Sequence, residues 1–359
     1  MICSRDGWGA TFSAVLRIMR TSDQAATEKA GPFMQNAHPS ISVLVPIYNV
    51  QRYLPQCLEA LCGQTLRDLE IVAINDGSTD GSLAILQEWA AKDDRIVIVD
   101  KPNSGYGASM NRGIETARGT YVGIVEPDDY PDRSMFKRLL RMAQRHDCDL
   151  VKCNFYEHYD DHEDRIRNFA AFPYNTLFDP VDKPGIICTI PAIWTGLYRK
   201  GLLDDAGIRF RETPGASFQD TSFVMKAWFA ASRCALVRKP LLHYRMDNPG
   251  SSVKTTDKVF VVCDELEECE RFLRARPERC RALLPWFYVD KWSKYRWNYE
   301  RIDASAHEAF AARIVDEYRA AREAGELDAT LFDPDSRAAL EALLANGAAR
   351  FAADHPETY

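Results

Sequence analysis

Residues 41–49 read Ile-Ser-Val-Leu-Val-Pro-Ile-Tyr-Asn and residues 69–77 read Leu-Glu-Ile-Val-Ala-Ile-Asn-Asp-Gly, and these two stretches decide the fold. Each begins as a short, β-branched, apolar run and ends in polar turn residues, which is typical of a buried strand that stops at a loop. Between them, residues 52–64 carry apolar side chains at helical spacing. Strand, helix and strand in this order predict two parallel strands joined by a right-handed crossover.

The same alternation continues along the chain. The sequence predicts helices over 82–92 and 108–117 and strands over 95–99, 121–125 and 149–156. A sheet built this way carries helices on its faces and binds ligands beyond the carboxyl ends of its strands. We therefore predict an α/β fold with a Rossmann-like, mostly parallel sheet flanked by helices.

The chain changes character near residue 254, where acidic, aromatic and then Ala-rich helical patterns begin. This shift predicts an α/β domain over 41–253 and a helical C-terminal region over 254–359. Residues 1–40 are polar and broken by Gly-Pro and His-Pro pairs, so we expect a poorly ordered leader that the fold does not need. Aromatic residues of the tail from 286 to 299 have two interpretations, helix packing or a platform for a glycan or lipid-linked acceptor.

Composition excludes several classes of protein. A net charge of −7 argues against nucleic acid as the main partner, because phosphate neutralisation needs a basic face. No run of ~20 apolar residues could span a bilayer. The ten cysteines lack the close pairing of zinc or redox motifs, which predicts free thiols and a cytoplasmic location. A peripheral contact with the inner face of the membrane and self-association through the helical region stay open.

Polar residues collect at the ends of four consecutive predicted strands. They are Tyr48-Asn49, Asn75-Asp76-Gly77, Asn103-Ser104-Gly105 and Glu126-Pro127-Asp128-Asp129. Carboxylates one residue apart, such as Glu126 and Asp128, could face one divalent cation while diphosphate oxygens complete its shell. Asp76 could accept a hydrogen bond from a nucleobase N–H. Taken singly, Asp128 could instead cap the next helix and Asp76 could belong to a β-turn.

These motifs resemble the signature series of a known family. Val45-Pro-Ile-Tyr-Asn49, Asn75-Asp-Gly-Ser-Thr-Asp-Gly-Ser82, Gly105 to Gly113 and Glu126-Pro-Asp-Asp-Tyr130 are similar to the motifs of family-2 glycosyltransferases. Ala192 to Arg199, Ser217 to Thr221, and Leu242-His-Tyr-Arg245 with Ser251-Ser252 resemble its later blocks, so the likeness extends over about 210 residues. It implies a GT-A fold and inverting transfer of a sugar from a nucleotide, in the manner of bacterial surface-polysaccharide enzymes.

The resemblance also implies roles for single residues. Pro46, Tyr48 and Asp76 match the nucleotide-binding rim, and Asp128 matches the metal-side carboxylate of a D-x-D element whose first position is Glu126. Asp220 matches the catalytic carboxylate of the family's Glu-Asp pair. Because Gln219 replaces the Glu and cannot ionise, Asp220 is the predicted general base. Further nucleotide-sugar contacts are predicted at Asn49, Gly105, Asn111, Trp194 and Arg245.

The implied cofactor is Mn²⁺ or Mg²⁺. The implied partners are a nucleotide-sugar donor, with UDP favoured, and a glycan or lipid-linked acceptor hydroxyl. Trp194 could stack on a sugar or pack in the core, and Arg245 or His243 could reach the diphosphate or be structural.

Two other functions remain open at this stage. Gly105-Tyr-Gly107-Ala-Ser-Met110 partly matches a dinucleotide fingerprint, although Met stands where Gly or Ala lets helix and strand pack closely. A dinucleotide-dependent oxidoreductase would also leave Asp76, Asp128 and Asp220 without roles. The second alternative is a degenerate transferase domain that serves as a scaffold.

Overall fold

The computed structural model describes residues 38–215, 217–248 and 259–355. The predicted leader up to residue 37 and the proposed junction at 253/254 therefore lie outside the described residues. The chain divides into two compact units. The first comprises the described parts of Met1–Arg167, Trp194–Gly215 and Ala235–Asp247, and the second those of Asn168–Ile193, Ala216–Cys234 and Asn248–Tyr359.

Within the described ranges, nine strands form one sheet. They are β1 (Ile41–Ile47), β2 (Leu69–Asp76), β3 (Ile96–Lys101), β4 (Tyr121–Ile124), β5 (Tyr130–Pro131), β6 (Leu150–His158), β7 (Glu163–Ile166), β8 (Gly196–Arg199) and β9 (Cys234–Arg245). Their order is β3-β2-β1-β4-β8-β6-β9-β5, with β7 paired to β6. Strands β3, β2, β1 and β4 are parallel, whereas β8 runs antiparallel to both β4 and β6.

The parallel strands bring their carboxyl ends to one edge. Every residue of β1 and β2 is buried, which explains why both read as nearly continuous apolar runs. The register places Asn75 opposite Ile47 and Asp76 opposite Lys101 of β3. The loops that follow β1, β2 and β3 therefore start side by side, as the sequence predicted.

Five helices of the first unit flank this sheet in the described part of the chain. They are α1 (Leu54–Cys62), α2 (Ser82–Ala90), α3 (Tyr106–Thr116), α4 (Met135–His146) and α5 (Lys200–Asp205). Helix α3 packs close to the parallel strands because Gly113 has no side chain. A Cβ there would lie 3.0 Å from the Ile74 side chain and 3.2 Å from that of Leu44. The predicted α/β fold is confirmed, with helix and strand boundaries within a few residues of the predictions.

The second unit is helical. Its helices are α6 (Gln219–Ala230), α7 (Val261–Arg274), α8 (Pro277–Tyr299), α9 (His307–Glu323), α10 (Pro334–Asn346) and α11 (Ala348–Asp354), with short 3₁₀ turns at Pro180–Asp182 and Pro184–Cys188. Trp292 and Tyr295 of α8 are buried against Tyr318 and Phe310 of α9. Helix packing therefore accounts for these two aromatic side chains of the tail.

The two units do not follow the chain in a simple order, because two segments before residue 235 belong to the helical unit. The division into domains at 253/254 stays a prediction. The described cysteines are free thiols, as expected. Among the helices that the structure describes, none combines the length and the apolar character needed to cross a membrane.

Candidate functional site

Asp76, at the end of β2, is a carboxylate of the strand-end rim that accepts three donors. Its Oδ1 accepts the Ser104 N–H at 2.8 Å and a bond from the Lys101 ammonium, and its Oδ2 accepts the Gly105 N–H at 3.0 Å. The residue is 4% exposed. A carboxylate has about four acceptor positions. Three are occupied from within the chain, so one is left for a ligand donor.

Asn49 ties the first two rim loops together. It has a left-handed backbone, φ 52°, which Asn adopts more readily than most residues. Its Oδ1 accepts the Thr79 N–H at 2.8 Å, and its own N–H donates to the Ser78 hydroxyl at 3.2 Å. Asn49 is thus a structural link of the rim. Beside it, Tyr48 is 51% exposed, while Pro46 is buried within β1.

The acidic loop after β4 presents its three carboxylates differently. Glu126 and Asp128 are partly exposed, and the Tyr106 hydroxyl donates to Glu126 Oε1 at 2.7 Å. Asp129 is 1% exposed and accepts the Arg245 N–H at 2.8 Å. The N-cap residue of helix α4 is Ser134, six residues after Asp128, and its own N–H donates to Asp132 Oδ1 at 2.8 Å. Asp128 is therefore not the helix cap that its sequence position allowed.

Burial sets the protonation of Asp129. It raises the pKa of this carboxyl well above its ordinary value, and the neighbouring charge of Asp128 raises it further, while the Arg245 N–H opposes the rise. Glu126 and Asp128 are the carboxylates of the loop that remain partly exposed.

A divalent cation would find a partial shell here. Within the described ranges, no group of three or more His, Cys, Asp or Glu side chains is arranged to hold a metal ion. Mg²⁺ commonly binds through one or two protein carboxylates together with substrate phosphates and water. The half-exposed Asp128, with Glu126 beside it, fits a cation that shares its shell with a diphosphate.

Arg245 is fixed behind the acidic loop. Its Nε donates to the Asp128 carbonyl oxygen at 3.0 Å and its Nη2 to Gln56 Oε1 at 2.6 Å, while its guanidinium lies 5.1 Å from the centre of the Tyr53 ring. The residue is 9% exposed. This places Arg245 at the predicted loop and gives it a structural task there.

The segment 210–215 closes over the start of α3. A Cβ on Gly107 would lie 1.9 Å from the Arg211 carbonyl oxygen, and one on Gly105 would lie 3.0 Å from that of Thr213. Asn111 holds the same segment, because its amide donates to the Phe210 carbonyl and accepts the Phe210 N–H. Close packing of 210–215 therefore explains the glycines that resembled a dinucleotide fingerprint. Asn111 anchors that segment, and its contact with a nucleotide stays a prediction.

Two aromatic candidates are enclosed by other rings. Trp194 is 7% exposed, stacks on Tyr244 with ring centres 4.9 Å apart and meets Phe155 edge to face. Core packing is thus the role that the structure supports for Trp194, and stacking on a sugar stays a prediction.

His243 lies between two tyrosine rings. It stacks on Tyr130 at 4.4 Å and on Tyr156 at 5.0 Å, and its Nδ1 is 2.6 Å from Glu163 Oε1. These contacts favour the structural interpretation of His243.

Asp220 belongs to the second unit and opens α6. The N-cap is Phe218, with a left-handed backbone at φ 57°, and Asp220 lies in the first helical turn. Its Oδ1 accepts the Thr221 N–H at 2.7 Å. Burial raises the pKa of Asp220, whereas the Thr221 bonds and the charge of Lys294 oppose the rise. Asp220 is therefore not the N-cap, and its carboxyl binds a proton more readily than an ordinary Asp.

Several supporting residues were missed in the sequence. Lys101 binds Asp76, Tyr106 binds Glu126, and the segment 210–215 encloses the start of α3. The predicted strands placed Asp76 and Lys101 near neighbouring strand ends, but their pairing depends on the register of β2 and β3. The sequence held no comparable signal for the segment 210–215.

The α/β domain, with polar loops at the carboxyl ends of its parallel strands, has a fold of the GT-A type. The fold is shared with S. aureus TarS: its complex with UDP-GlcNAc superposes with a TM-score of 0.72 at 20% identity, over 87% of this chain and 89% of that one.

The sequence is similar to known glycosyltransferases. Residues 42–205 match the model of glycosyl transferase family 2. EpsJ of Bacillus subtilis, an uncharacterized glycosyltransferase, is 33% identical over 217 residues, which are 59% of this chain and 62% of that protein. YibD of Escherichia coli, likewise an uncharacterized glycosyltransferase, is 30% identical over 229 residues, 61% of this chain and 65% of its own length. Residues 42–205 thus match glycosyl transferase family 2, and the chain spans somewhat under two thirds of the length of these relatives.

Proposed function

We propose that this chain is an inverting glycosyltransferase that moves a sugar from a UDP-sugar to a hydroxyl group of a glycan or lipid-linked acceptor. The observation that carries the proposal is the rim formed by the loops after β1, β2, β3 and β4. There Asp76 is fixed by three donors, and Asp128 stands partly exposed in the next loop but one.

The nucleotide would be recognised at Asp76. Its remaining acceptor position suits an N–H of a base such as uracil, and its three bonds hold the carboxylate still before the ligand arrives. The exposed Tyr48 ring follows the adjacent strand β1, whose Ile47 is paired with Asn75, and it offers an apolar face. UDP is the first nucleotide to test, because TarS, which has the same fold, binds UDP and UDP-GlcNAc.

The diphosphate would be held at the acidic loop. Asp128, with Glu126 beside it, would bind Mn²⁺ or Mg²⁺ together with the phosphate oxygens. The bound cation neutralises negative charge on the leaving diphosphate. Arg245 positions this loop through the Asp128 carbonyl oxygen, and the Tyr106 hydroxyl fixes the direction of Glu126.

Asp220 would act as the general base. Its carboxylate takes the proton of the acceptor hydroxyl while that oxygen attacks the anomeric carbon, and the bond from this carbon to the diphosphate oxygen breaks. A single displacement inverts the anomeric configuration and needs no enzyme nucleophile. Gln219, which precedes Asp220, cannot share this task because an amide does not ionise at neutral pH.

The setting of the reaction would be surface-polysaccharide synthesis at the cytoplasmic side of the membrane, where lipid-linked acceptors are presented. We further propose that the aromatic residues of 286–299 contribute to binding such an acceptor and that the chain self-associates through the helical region.

A panel of nucleoside diphosphate sugars tests the proposal. Purified protein is incubated with each donor, with Mn²⁺ or with EDTA, and release of the nucleotide and thermal unfolding are both measured. We expect one or a few UDP-sugars to be hydrolysed or transferred, and UDP to stabilise the fold more in Mn²⁺ than in EDTA. The double variant Asp76→Ala/Asp128→Ala serves as the inactive control. A protein that bound no nucleotide and consumed no donor would favour the scaffold alternative.

A further inference from the structure

Helix α8 carries a fixed ion pair within the second unit. Asp290 is 1% exposed, and its Oδ1 accepts a hydrogen bond from the Lys294 ammonium at 2.8 Å. The two residues are four positions apart with the acid first, which is the favourable order on a helix. Because Asp290 is enclosed, the Lys294 ammonium is held in one place, with 15% of its side chain exposed.

The same face of α8 meets the start of α6. The rings of Phe218 and Trp297 lie edge to face with centres 5.7 Å apart. Phe218 is two residues before Asp220, and Trp297 is three residues after Lys294, so each pair lies close together along its own segment. The contact therefore brings Lys294 next to the segment that presents Asp220, and the charge of Lys294 acts on that carboxyl.

We propose that Lys294, held by the buried carboxylate of Asp290, is a positioning residue that keeps the Asp220 carboxylate charged and ready to take the acceptor proton. This inference rests on the proposed function, because it takes Asp220 as the base. It assigns α8 of the helical C-terminal region a part in the reaction. Burial makes Asp220 a stronger base, but it also favours protonation of Asp220 before the acceptor binds. A nearby cation opposes this early protonation.

Other polar groups surround this arrangement. On α6, the Thr221 N–H and hydroxyl face Asp220, and the Ser222 hydroxyl donates to Glu265 of α7 at 2.5 Å. The 3₁₀ turn Pro184–Cys188 places the Cys188 thiol within the field of both Asp290 and Lys294. The Arg301 guanidinium covers the Trp297 ring at 4.2 Å. Of these groups, Lys294 is the cation whose charge lowers the pKa of Asp220.

Direct titration of Asp220 tests the inference without any need for activity. Protein labelled with ¹³C at the Asp carboxyl carbons is titrated by NMR, and Asp220→Asn identifies the signal. Lys294→Met is expected to raise the pKa of Asp220 by about one pH unit, since a nearby opposite charge lowers a carboxyl pKa by that order. Lys294→Arg should restore the wild-type titration. Arg296→Gln removes a positive charge from an exposed position of the same helix and should leave it unchanged.

The pH dependence of turnover gives the second readout. In Lys294→Met the acidic limb of the profile of kcat should move to higher pH by the same amount, with kcat on the alkaline plateau close to that of the wild type. An unchanged Asp220 titration in folded Lys294→Met overturns the inference. If that variant does not fold, Lys294→Gln, which keeps a donor for Asp290, takes its place. Sugar transfer at the wild-type rate by Asp220→Asn would instead refute Asp220 as the base. The NMR titration would still decide whether the charge of Lys294 lowers the pKa of Asp220.

Discussion

Asp76 and Asp220 are the same kind of residue with different hydrogen-bond partners. Asp76, in the first unit, accepts two backbone N–H groups and a lysine. Asp220, in the second unit, accepts one backbone N–H at short range, and burial raises its pKa. A carboxylate that only binds a ligand gains from many donors, because they fix its position and its charge. A carboxylate that must take up a proton gains from few donors and from burial. The two environments match the two proposed roles.

The largest expected effect is loss of the base. Asp220→Asn should reduce kcat by roughly 10²–10⁴-fold with little change in UDP affinity, because the amide cannot take a proton. Transfer is measured with a competent acceptor, and UDP binding by calorimetry.

Asp182→Asn is the matched control, since it removes an exposed carboxylate from the same unit. Transfer near the wild-type rate in Asp220→Asn would mean that Asp220 is not the base. The difference between the surroundings of Asp76 and Asp220 would then say nothing about their roles.

The next effect concerns the acidic loop. Asp128→Asn should weaken UDP binding in Mn²⁺ by about 10–100-fold and remove most of the difference between Mn²⁺ and EDTA in thermal unfolding. Glu126→Gln should weaken UDP binding less, because Glu126 Oε1 already accepts a hydrogen bond from the Tyr106 hydroxyl. Equal losses in both variants would show that the two carboxylates act alike. A wild-type protein with the same thermal shift in Mn²⁺ and in EDTA would refute the metal proposal.

Removing the charge of Asp76 should have a smaller and mixed effect. Asp76→Asn places an NH₂ donor against the N–H and ammonium donors that the carboxylate accepts. We therefore expect a loss of about 1–3 kcal/mol in the free energy of unfolding and about tenfold weaker UDP binding. Chemical denaturation without ligand separates the first effect from the second. Asp100→Asn provides the control: this exposed carboxylate on β3 accepts the Asn75 amide, and its loss should change neither quantity much. Normal UDP binding by folded Asp76→Asn would leave Asp76 a purely structural residue.

The smallest effect is expected at Asp132, a well-bonded carboxylate outside the rim. Burial alone would raise the pKa of Asp132, but bonds from Lys239 and Ser134 outweigh it and lower the pKa to about 2. A lowered pKa stabilises the fold above the unfolded-state pKa, and this contribution disappears as the pH falls toward 2. Asp132→Asn should therefore lower the free energy of unfolding by only about 1 kcal/mol at pH 7, since partial exposure screens the pair. The loss should be smaller from pH 4 downward.

Denaturation of Asp132→Asn at pH 7, 4 and 3 measures this trend, and Lys239→Met completes a double-mutant cycle. UDP binding should be unchanged in both variants. A stability loss that stayed constant from pH 7 to pH 3 would contradict the assigned cause.

How much could be predicted from the sequence differs between the two units. The buried strands β1 and β2 and the polar residues after them follow from local periodicity, because parallel strands covered on both faces must be apolar and must end in turns. Asp76, Asp128 and Asp220 were found in this way or through motif resemblance. The bond from Lys101 to Asp76 depends on strand register, and the contact of Phe218 with Trp297 joins residues 79 positions apart in the sequence. Local patterns carry no information about such pairs.

The sequence predicted ligand roles for residues that also support the scaffold. Trp194, Asn111 and Asn49 lie in the quoted motifs, yet their side chains bind other parts of the chain. A motif shows that a residue type is needed at a position, and a motif alone cannot separate contact with a ligand from support of the groups that make this contact.

The segment 210–215 has one further consequence, for engineering of the chain. It has no regular secondary structure, and a design based on secondary structure would choose it for loop exchange or for insertion of a tag. Its backbone nevertheless fits against Gly107 so closely that a single methyl group there would strike the Arg211 carbonyl oxygen, and Asn111 holds Phe210 through two hydrogen bonds. Its path is therefore constrained by these contacts with the start of α3, and variant libraries should leave it intact.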